Sequence, residues 1–155
     1  MRRSILLASL LIAALAAPRP APALPSLNTS SPKKDARAYF EEGKKFQDNK
    51  QYQDAIDAYE KSLKEDGDQA EAFSNLGFCY KSLKRYQKAI THYQHAIRLD
   101  PKLAEAHEYL GEAYLELGDL GKAKREYEIL VKLGSDEAEE LKEKIEAAEA
   151  AGTTN

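Results

Sequence analysis

Residues 70–103 read AEAFSNLGFCYKSLKRYQKAITHYQHAIRLDPKL, and this stretch decides the fold. Its first half places Phe73, Leu76 and Tyr80 at helical spacing, so that the three side chains share one face of a helix. A short polar connection, Lys84-Arg85, follows. The second half then repeats the helical spacing over Tyr86, Ala89, Ile90, Tyr93, Ala96 and Ile97. Because the connection is short, the stretch predicts two antiparallel neighbouring helices.

The same pattern recurs along the chain with a period of 34 residues. Its three copies occupy residues 36–69, 70–103 and 104–137. The columns that stay in register are Gly43, Gly77 and Gly111; Ala55, Ala89 and Ala123; and Tyr59, Tyr93 and Tyr127. Such a period is typical of solenoids built from helix hairpins. We expect the small residues to let the two helices of a hairpin approach closely, and the tyrosine rings to fill the space between hairpins.

These columns, together with Pro101 near the end of the second copy, resemble the tetratricopeptide repeat family. The resemblance covers 36–137, about two-thirds of the chain. It implies an all-α fold, a right-handed α-solenoid of antiparallel helix hairpins. At the end of the second copy, we expect Asp100 to cap the next helix and Pro101 to occupy its first position. The resemblance is weak evidence about function, because solenoids serve many partners.

The segments that flank the repeats read differently. Leu141 and Ile145 lie four residues apart, so we expect a capping helix over 138–151 that covers the end of the third repeat. Residues 152–155 are predicted to form a disordered tail. Residues 24–35 carry Pro, Ser, Thr and Asn without an apolar period, and are predicted to form a flexible linker.

The first 23 residues have the pattern of a secretory signal peptide. Two arginines precede a run of 13 apolar and small residues from Ile5 to Ala17. A membrane-spanning helix needs about 20 residues, so the run fits a signal peptide better than a span. Small residues allow cleavage before Ala17 or before Leu24. The sequence therefore predicts an exported protein, periplasmic or extracellular. A retained N-terminal membrane anchor is the alternative.

Composition narrows the function classes. Lysine and arginine total 23 against 26 acidic residues in a chain of 155, so a basic footprint for nucleic acid is absent. Without the first 23 residues the chain would carry 20 basic and 26 acidic residues. The single cysteine, Cys79, excludes an internal disulfide framework and a multi-cysteine zinc site. We expect no small-molecule substrate, and membrane contact only through an uncleaved signal peptide.

Residues suited to catalysis or metal binding are few. The sequence contains no phosphate-binding glycine loop, nucleophile elbow, zinc-protease motif or calcium loop. His92 and His95 are three residues apart on one helix face and could share a transition metal, although a solvated outer face is the simpler interpretation. Cys79 is expected to be a packed, inert thiol, and His107 to replace a core aromatic residue. We therefore predict no enzyme, no cofactor and no metal site.

The resemblance also implies where a partner binds. In this family the first helices of successive repeats line a concave groove. Four positions on each first helix would face it, and their spacing of three or four residues places them on one helix face. They are Arg37, Phe40, Lys44 and Gln47 in the first repeat; Glu71, Ser74, Phe78 and Lys81 in the second; and Glu105, Glu108, Glu112 and Leu115 in the third.

One binding mode known in the family is tested directly by the sequence. Some members clamp the C-terminal carboxylate of a peptide with two lysines, one arginine and two asparagines. The corresponding positions here are Phe40, Lys44, Asn75, Glu105 and Tyr109. Only Asn75 matches, because Lys44 does not stand at a position where the clamp has a lysine. The third repeat supplies an acid where a cation is needed, so the sequence argues against this clamp.

The net charge changes sign from repeat to repeat, from -3 in the first to +4 in the second and -5 in the third. Glu105, Glu108 and Glu112 predict an acidic wall that favours a basic partner segment, with an apolar partner residue near Phe40 and Phe78. A merely solubilising face is the alternative. The sequence thus predicts a non-enzymatic adaptor or scaffold that binds a partner peptide or helix. An accessory or regulatory subunit of an envelope enzyme or assembly complex, and a self-associating repeat protein, remain as alternatives.

Overall fold

The computed structural model describes residues 35–152 of the chain. Within them lie seven helices: α1 (Ala36–Asp48), α2 (Tyr52–Glu65), α3 (Ala70–Ser82), α4 (Tyr86–Leu99), α5 (Ala104–Glu116), α6 (Leu120–Leu133) and α7 (Glu137–Gly152). The first six form three hairpins, each within one 34-residue copy of the repeat. The predicted all-α solenoid is confirmed. The predicted signal peptide, nearly all of the predicted linker and the last three residues of the predicted tail lie outside the described residues.

The hairpins stack in chain order. Each second helix packs against the first helix of the next hairpin, and α1, α3 and α5 thus lie side by side. The core runs continuously between these layers and contains the fully buried side chains of Tyr59, Leu76, Tyr93 and Leu130. Each repeat buries its apolar face on its neighbours, as a solenoid requires. None of the seven described helices combines the length and the apolar character that crossing a bilayer demands.

The repeated glycines lie where a side chain from a neighbouring helix packs directly against the backbone of the first helix. A β-carbon on Gly77 would lie 2.7 Å from Cε1 of Tyr93, which belongs to the second helix of the same hairpin. Gly43 has the same relation to Tyr59, at 2.6 Å. The rings of Tyr59 and Tyr93 therefore lie inside their own hairpins, because only a residue without a β-carbon lets a ring lie against the helix. Tyr93 also lies 6.0 Å from the ring of Tyr109 in the next hairpin, so the expectation that the rings fill the space between hairpins describes only part of their packing.

The turn at Asp100-Pro101 also differs from the expectation. Asp100 follows the last residue of α4, and its carboxylate accepts a hydrogen bond from the N–H of Lys102 at 2.9 Å. Helix α5 begins only at Ala104, so Pro101 lies in the turn and not at the first helical position. The Pro101 carbonyl contacts Nε2 of His107 at 3.1 Å. Asp100 thus forms a local Asx turn with Lys102 instead of capping helix α5.

Helix α7 begins one residue before the predicted capping helix and ends one residue after it. It packs on both α5 and α6, and it covers α5 more extensively than successive first helices cover one another. Leu141 is fully buried and Ile145 nearly so. Leu141 lies against Gly111, the place that Tyr59 and Tyr93 take in the first two repeats. The capping helix therefore completes the third repeat as well as covering it.

Candidate functional site

The face formed by the first helices of the three repeats carries aromatic rings, one from each helix. Phe40 lies on α1, Phe78 on α3 and Tyr109 on α5, and all three are partly exposed. The ring centroids of Phe78 and Tyr109 are 5.5 Å apart, and Tyr52 of α2 contacts Phe78 at 6.3 Å. Partly exposed rings on adjacent helices provide an apolar floor on which a partner side chain can pack.

Two lysines lie over these rings. Nζ of Lys81 is 5.5 Å from the ring centroid of Phe78 and 4.5 Å from that of Tyr109. Nζ of Lys44 is 5.9 Å from the ring centroid of Phe40. Each such contact contributes roughly 0.5–1 kcal/mol at an exposed site. Lys44 therefore places a positive charge beside the aromatic floor, whereas the charge of Lys81 is shared with Glu112.

The acidic wall predicted for the third repeat is largely neutralised inside the chain. Lys144 of α7 forms salt bridges with Glu108, at 2.8 Å, and with Glu112. Glu112 also pairs with Lys81 of α3. Glu108 is only 5% exposed, because α7 packs over α5 at this point. Glu108 does not face an open groove as the sequence predicted, and only Glu105 of the three keeps its carboxylate out of this network.

Burial and salt-bridge formation shift the pKa values of Glu108 and Glu112 in opposite directions. Burial raises the pKa of Glu108, and the hydrogen bond from Lys144 offsets only part of this effect. Burial acts on Glu112 as well, but the bonds from Lys144 and Lys81 outweigh it and lower its pKa. Glu112 is therefore the carboxylate whose charge joins α3, α5 and α7 near neutral pH.

Two further predicted groove residues belong to the interior. Ser74 is only 1% exposed, since so short a side chain does not reach the surface, and its hydroxyl has no hydrogen-bond partner among the described residues. Gln47 is half-buried, and its side-chain carbonyl accepts a hydrogen bond from the Tyr59 hydroxyl at 3.0 Å. The equivalent residue in the second repeat is Lys81, which cannot accept, and the buried Tyr93 hydroxyl is left unpaired in the described structure.

The open groove is therefore smaller than the sequence predicted. The predicted residues that keep partly or fully exposed side chains there are Arg37, Phe40, Lys44, Glu71, Asn75, Phe78, Lys81, Glu105, Glu112 and Leu115. The structure adds Tyr109 and Lys144 to them. The clamp comparison had placed Tyr109 near the groove without giving it a role. No sequence signal pointed to Lys144, because it lies beyond the repeats.

Two clefts open at opposite ends of α3. The first, of about 510 Å³, lies at its N-terminal end, and we call it the acidic cleft. Its charged lining residues are Arg37, Glu41, Glu71 and Asp100. The second, of about 700 Å³, lies at its C-terminal end between α3, α5 and α7, and we call it the basic cleft. Its charged lining residues are Lys81, Lys84, Lys144, Glu112 and Glu116.

The histidine pair does not converge on a common point. Phe73 stacks against both rings, with centroids 6.2 Å from His92 and 5.1 Å from His95, and Tyr80 stacks on His92 at 5.1 Å. Among residues 35–152, no three metal-ligating side chains lie close enough together to hold an ion. Cys79 is fully buried, and burial raises the pKa of its thiol to about 12, so that the reactive thiolate is scarce at neutral pH.

Comparison with known families matches three overlapping parts of the chain. A model described as TPR repeat covers residues 79–118, and two models described as tetratricopeptide repeat cover residues 46–92 and 105–133. Together they span more than half of the sequence. Comparison with curated proteins gives no match.

Solved structures with the same fold include domains that bind peptides. The first TPR domain of human RPAP3 is 27% identical, with a TM-score of 0.71, over 79% of this chain and 99% of that one. The second TPR domain of human RPAP3, in complex with the HSP70 peptide SGPTIEEVD, is 28% identical, with a TM-score of 0.67, over 72% and 94%. The Sgt2 TPR domain from Aspergillus fumigatus is 26% identical, with a TM-score of 0.67, over 75% and 78%.

The helix order, the repeated glycines against their rings and the family matches agree with one another. The chain belongs to the tetratricopeptide repeat family.

Proposed function

We propose that this protein is a non-enzymatic interaction module that binds a segment of a partner protein in the groove formed by α1, α3 and α5. The observation that carries the proposal is the aromatic floor of Phe40, Phe78 and Tyr109, three partly exposed rings on the first helices of successive repeats, of which Phe78 and Tyr109 are in contact. Apolar rings flanked by charged side chains are typical of protein-binding surfaces, where aromatic residues act as anchors.

Similar domains support a peptide as the ligand, but the residues of this chain do not suit a C-terminal carboxylate. The human RPAP3 domain is in complex with an HSP70 peptide that ends in EEVD. In this chain Phe40, Glu105 and Tyr109 stand at three of the five clamp positions, so the cations that would pair with a terminal carboxylate are missing. We therefore propose that the groove binds an internal segment of its partner.

Site-specific photo-crosslinking in the native host tests this function. A photo-reactive residue at position 78 of the full chain, on the aromatic floor, should yield discrete crosslinked proteins. The matched control carries the same residue at position 91, since Thr91 is exposed on the outer helix α4. Identical crosslinked species from both positions would show that the groove has no special role.

We also propose that the module acts after export. The support is the signal-peptide pattern of the first 23 residues. N-terminal sequencing of the protein recovered outside the cytoplasm should begin at Ala17 or Leu24. An intact N-terminus on a protein confined to the cytoplasm would contradict export, and an intact N-terminus in the membrane fraction would favour the anchor.

A further inference from the structure

The groove carries unbalanced charge at one end only. The acidic cleft, at the N-terminal end of α3, is lined by the three carboxylates of Glu41, Glu71 and Asp100 and by one guanidinium, on Arg37. All four residues are exposed, and none takes part in a salt bridge within the described structure. Because one guanidinium can neutralise only one of the carboxylates, the cleft keeps a net negative charge that a partner can neutralise.

The nearby charges of the groove do not remove this excess. Lys44 lies over the ring of Phe40 and is not among the residues that line the cleft. Glu105 takes the place on α5 that Glu71 takes on α3, so it adds a carboxylate at the same end of the groove. Burial raises the pKa of Tyr109, and the nearby Glu105 carboxylate raises this pKa further. The charges of Lys44 and Glu105 therefore offset each other beside the aromatic floor.

The opposite end of the groove is electrically balanced. In the basic cleft and its salt bridges, ammonium groups and carboxylates are equal in number: Lys81, Lys84 and Lys144 against Glu108, Glu112 and Glu116. A charged ligand therefore gains nothing from the net charge of this end. Only the acidic cleft can select the charge of a partner.

The acidic cleft combines an apolar ring with an unused polar group. Phe40 lines the cleft beside the carboxylates and is partly exposed. Ser74 lies one turn beyond Ala70 and Glu71 on the same face of α3, and side chains on a helix lean towards the preceding turn. The Ser74 hydroxyl has no hydrogen-bond partner among the described residues. Because a hydroxyl accepts hydrogen bonds as well as donating them, it offers a cationic donor a further acceptor beneath the cleft.

These features fit the side chain of a lysine or an arginine. Such a side chain has an apolar stem and a cationic head, so the stem can pack on Phe40 while the head pairs with Glu41 and Glu71. Arginine fits best, because its planar guanidinium forms paired hydrogen bonds with carboxylates and also stacks on aromatic rings. A neighbouring apolar residue of the same partner then has the rings of Phe78 and Tyr109 on which to pack.

We propose that the groove binds a partner segment in which a basic residue, arginine or lysine, lies close to an apolar residue. The basic side chain enters the acidic cleft, and the apolar side chain packs on the aromatic floor. This inference rests on the proposed function and specifies its ligand. Complementary charge at the cleft supplies specificity and faster association, whereas the apolar contact holds the bound segment.

Three synthetic peptides that share the same leucines test the proposal. Both ends of each peptide are blocked, so that it represents an internal segment, and two fixed positions carry arginine, glutamine or glutamate. Titration calorimetry with the full chain should show roughly tenfold tighter binding of the arginine peptide than of the glutamine peptide. The glutamate peptide should bind most weakly, and added salt should reduce the differences among the three.

Two double variants with the same change in net charge locate the effect. Glu41→Gln/Glu71→Gln removes two carboxylates from the acidic cleft and should abolish most of the preference for the arginine peptide. Glu128→Gln/Glu146→Gln removes two carboxylates from exposed positions on α6 and α7 and should leave the preference intact. A preference that persists in the first variant, or that disappears in both, would overturn the assignment to the acidic cleft.

The remaining outcomes separate this inference from the proposed function. Equal affinity of the three peptides would overturn the basic ligand and leave a peptide-binding groove. Failure of all three to bind, with position-specific crosslinks still formed at position 78, would also overturn the basic ligand alone. Crosslinks that do not differ between positions 78 and 91 would overturn the proposed function itself.

Discussion

At the scale of single residues, the repeat is defined by sites where a β-carbon has no room. Gly43 and Gly77 each lie under the ring of the tyrosine in the second helix of the same hairpin. Both rings are fully buried, so they cannot move aside without disturbing the core. These glycines contribute no side chain to the core, but they allow the tyrosine rings to pack directly against the backbone of the first helix.

The replacement Gly77→Ala should therefore destabilise the protein by roughly 1–3 kcal/mol through overpacking. The matched control is Gly121→Ala in α6, where the nearest heavy atom to a new β-carbon is 3.8 Å away. That control should be neutral or stabilise by about 0.5 kcal/mol, because alanine is the better helix former. Urea denaturation measures both variants, and equal midpoints would contradict the packing of Tyr93 on Gly77.

The turns inside the hairpins carry a second residue-scale signature. Lys50 and Lys84 adopt positive φ angles of 59° and 58°, and Gly118 holds the same place in the third repeat with a φ of 75°. Residues with a β-carbon pay roughly 1–2 kcal/mol for this left-handed conformation. Lysine in two of the three turns is therefore a local strain that the flanking helices overcome.

We expect Lys50→Gly to stabilise the protein by up to about 1 kcal/mol, and Gly118→Ala to destabilise it by about 1 kcal/mol. No heavy atom lies within 4 Å of the position of a new β-carbon on Gly118, so its effect would come from the backbone alone. Thermal unfolding of both variants provides the measurement. A fall in melting temperature for Lys50→Gly would argue against strain in this turn.

At the scale of elements, α7 determines which part of the groove stays open. Its buried residues, Leu141 and Ile145, hold it on α5, and its Lys144 neutralises two of the three glutamates of the predicted acidic wall. Like charges at this spacing on a helix repel one another, and the pairing with Lys144 reduces this repulsion within the chain. A helix outside the repeats sets the charge of the binding surface.

Loss of this contact should weaken α7. We expect Lys144→Met to destabilise the protein by roughly 1–3 kcal/mol, because Glu108 loses its cation and Glu112 one of two. The control on the same helix is Lys142→Met, whose partner Glu139 is largely exposed, and which should change stability by less than about 0.5 kcal/mol. Indistinguishable urea midpoints for the two variants would mean that the salt bridges of Lys144 contribute nothing.

At the scale of the whole molecule, two histidines make stability depend on pH in opposite directions. Nδ1 of His107 lies 2.7 Å from the carboxylate of Glu126, and Nε2 contacts the Pro101 carbonyl. Burial acts to lower the pKa of His107, but these two acceptors outweigh it and raise the pKa. Burial lowers the pKa of His92 to about 4. Because the repeats are coupled through their interfaces, each effect should appear in global unfolding.

The contribution of His107 should be complete below its unfolded pKa of about 6.5 and should be lost as the pH rises through the higher folded pKa. The contribution of His92 has the opposite sign. Below about pH 6.5, His92 is protonated in the unfolded chain but stays neutral in the folded chain. Stability should therefore fall as the pH drops from about 6.5 towards 4. Urea midpoints measured from about pH 4 to a pH above the folded pKa of His107 should therefore pass through a maximum near neutral pH.

The replacement His107→Phe should remove the alkaline limb of this profile and leave the acid limb unchanged, whatever its effect on stability at neutral pH. Phe73 occupies the equivalent place in the second repeat, so the ring itself can be accommodated. His95→Gln, at an exposed position, serves as the control for histidine removal. An alkaline limb that persists in His107→Phe would assign the effect to another group.

The sequence alone determined the fold of the repeats. Glycine, alanine and tyrosine at a period of 34 residues impose helix spacing, hairpin pairing and stacking, because each feature depends on residues close together in the chain. The capping helix was also predictable, since Leu141 and Ile145 mark an apolar stripe in a polar segment. The family positions located the aromatic floor through Phe40 and Phe78.

Only the tertiary structure decided how that floor is surrounded. The pairing of Lys144 with Glu108 and Glu112 joins residues 36 and 32 positions apart, and depends on how α7 rotates onto α5. The burial of Ser74 and the placement of Tyr93 inside its hairpin are likewise results of packing between helices. Local patterns specify which face of a helix is apolar, whereas the contacts that neutralise or expose a charge form only when distant helices meet.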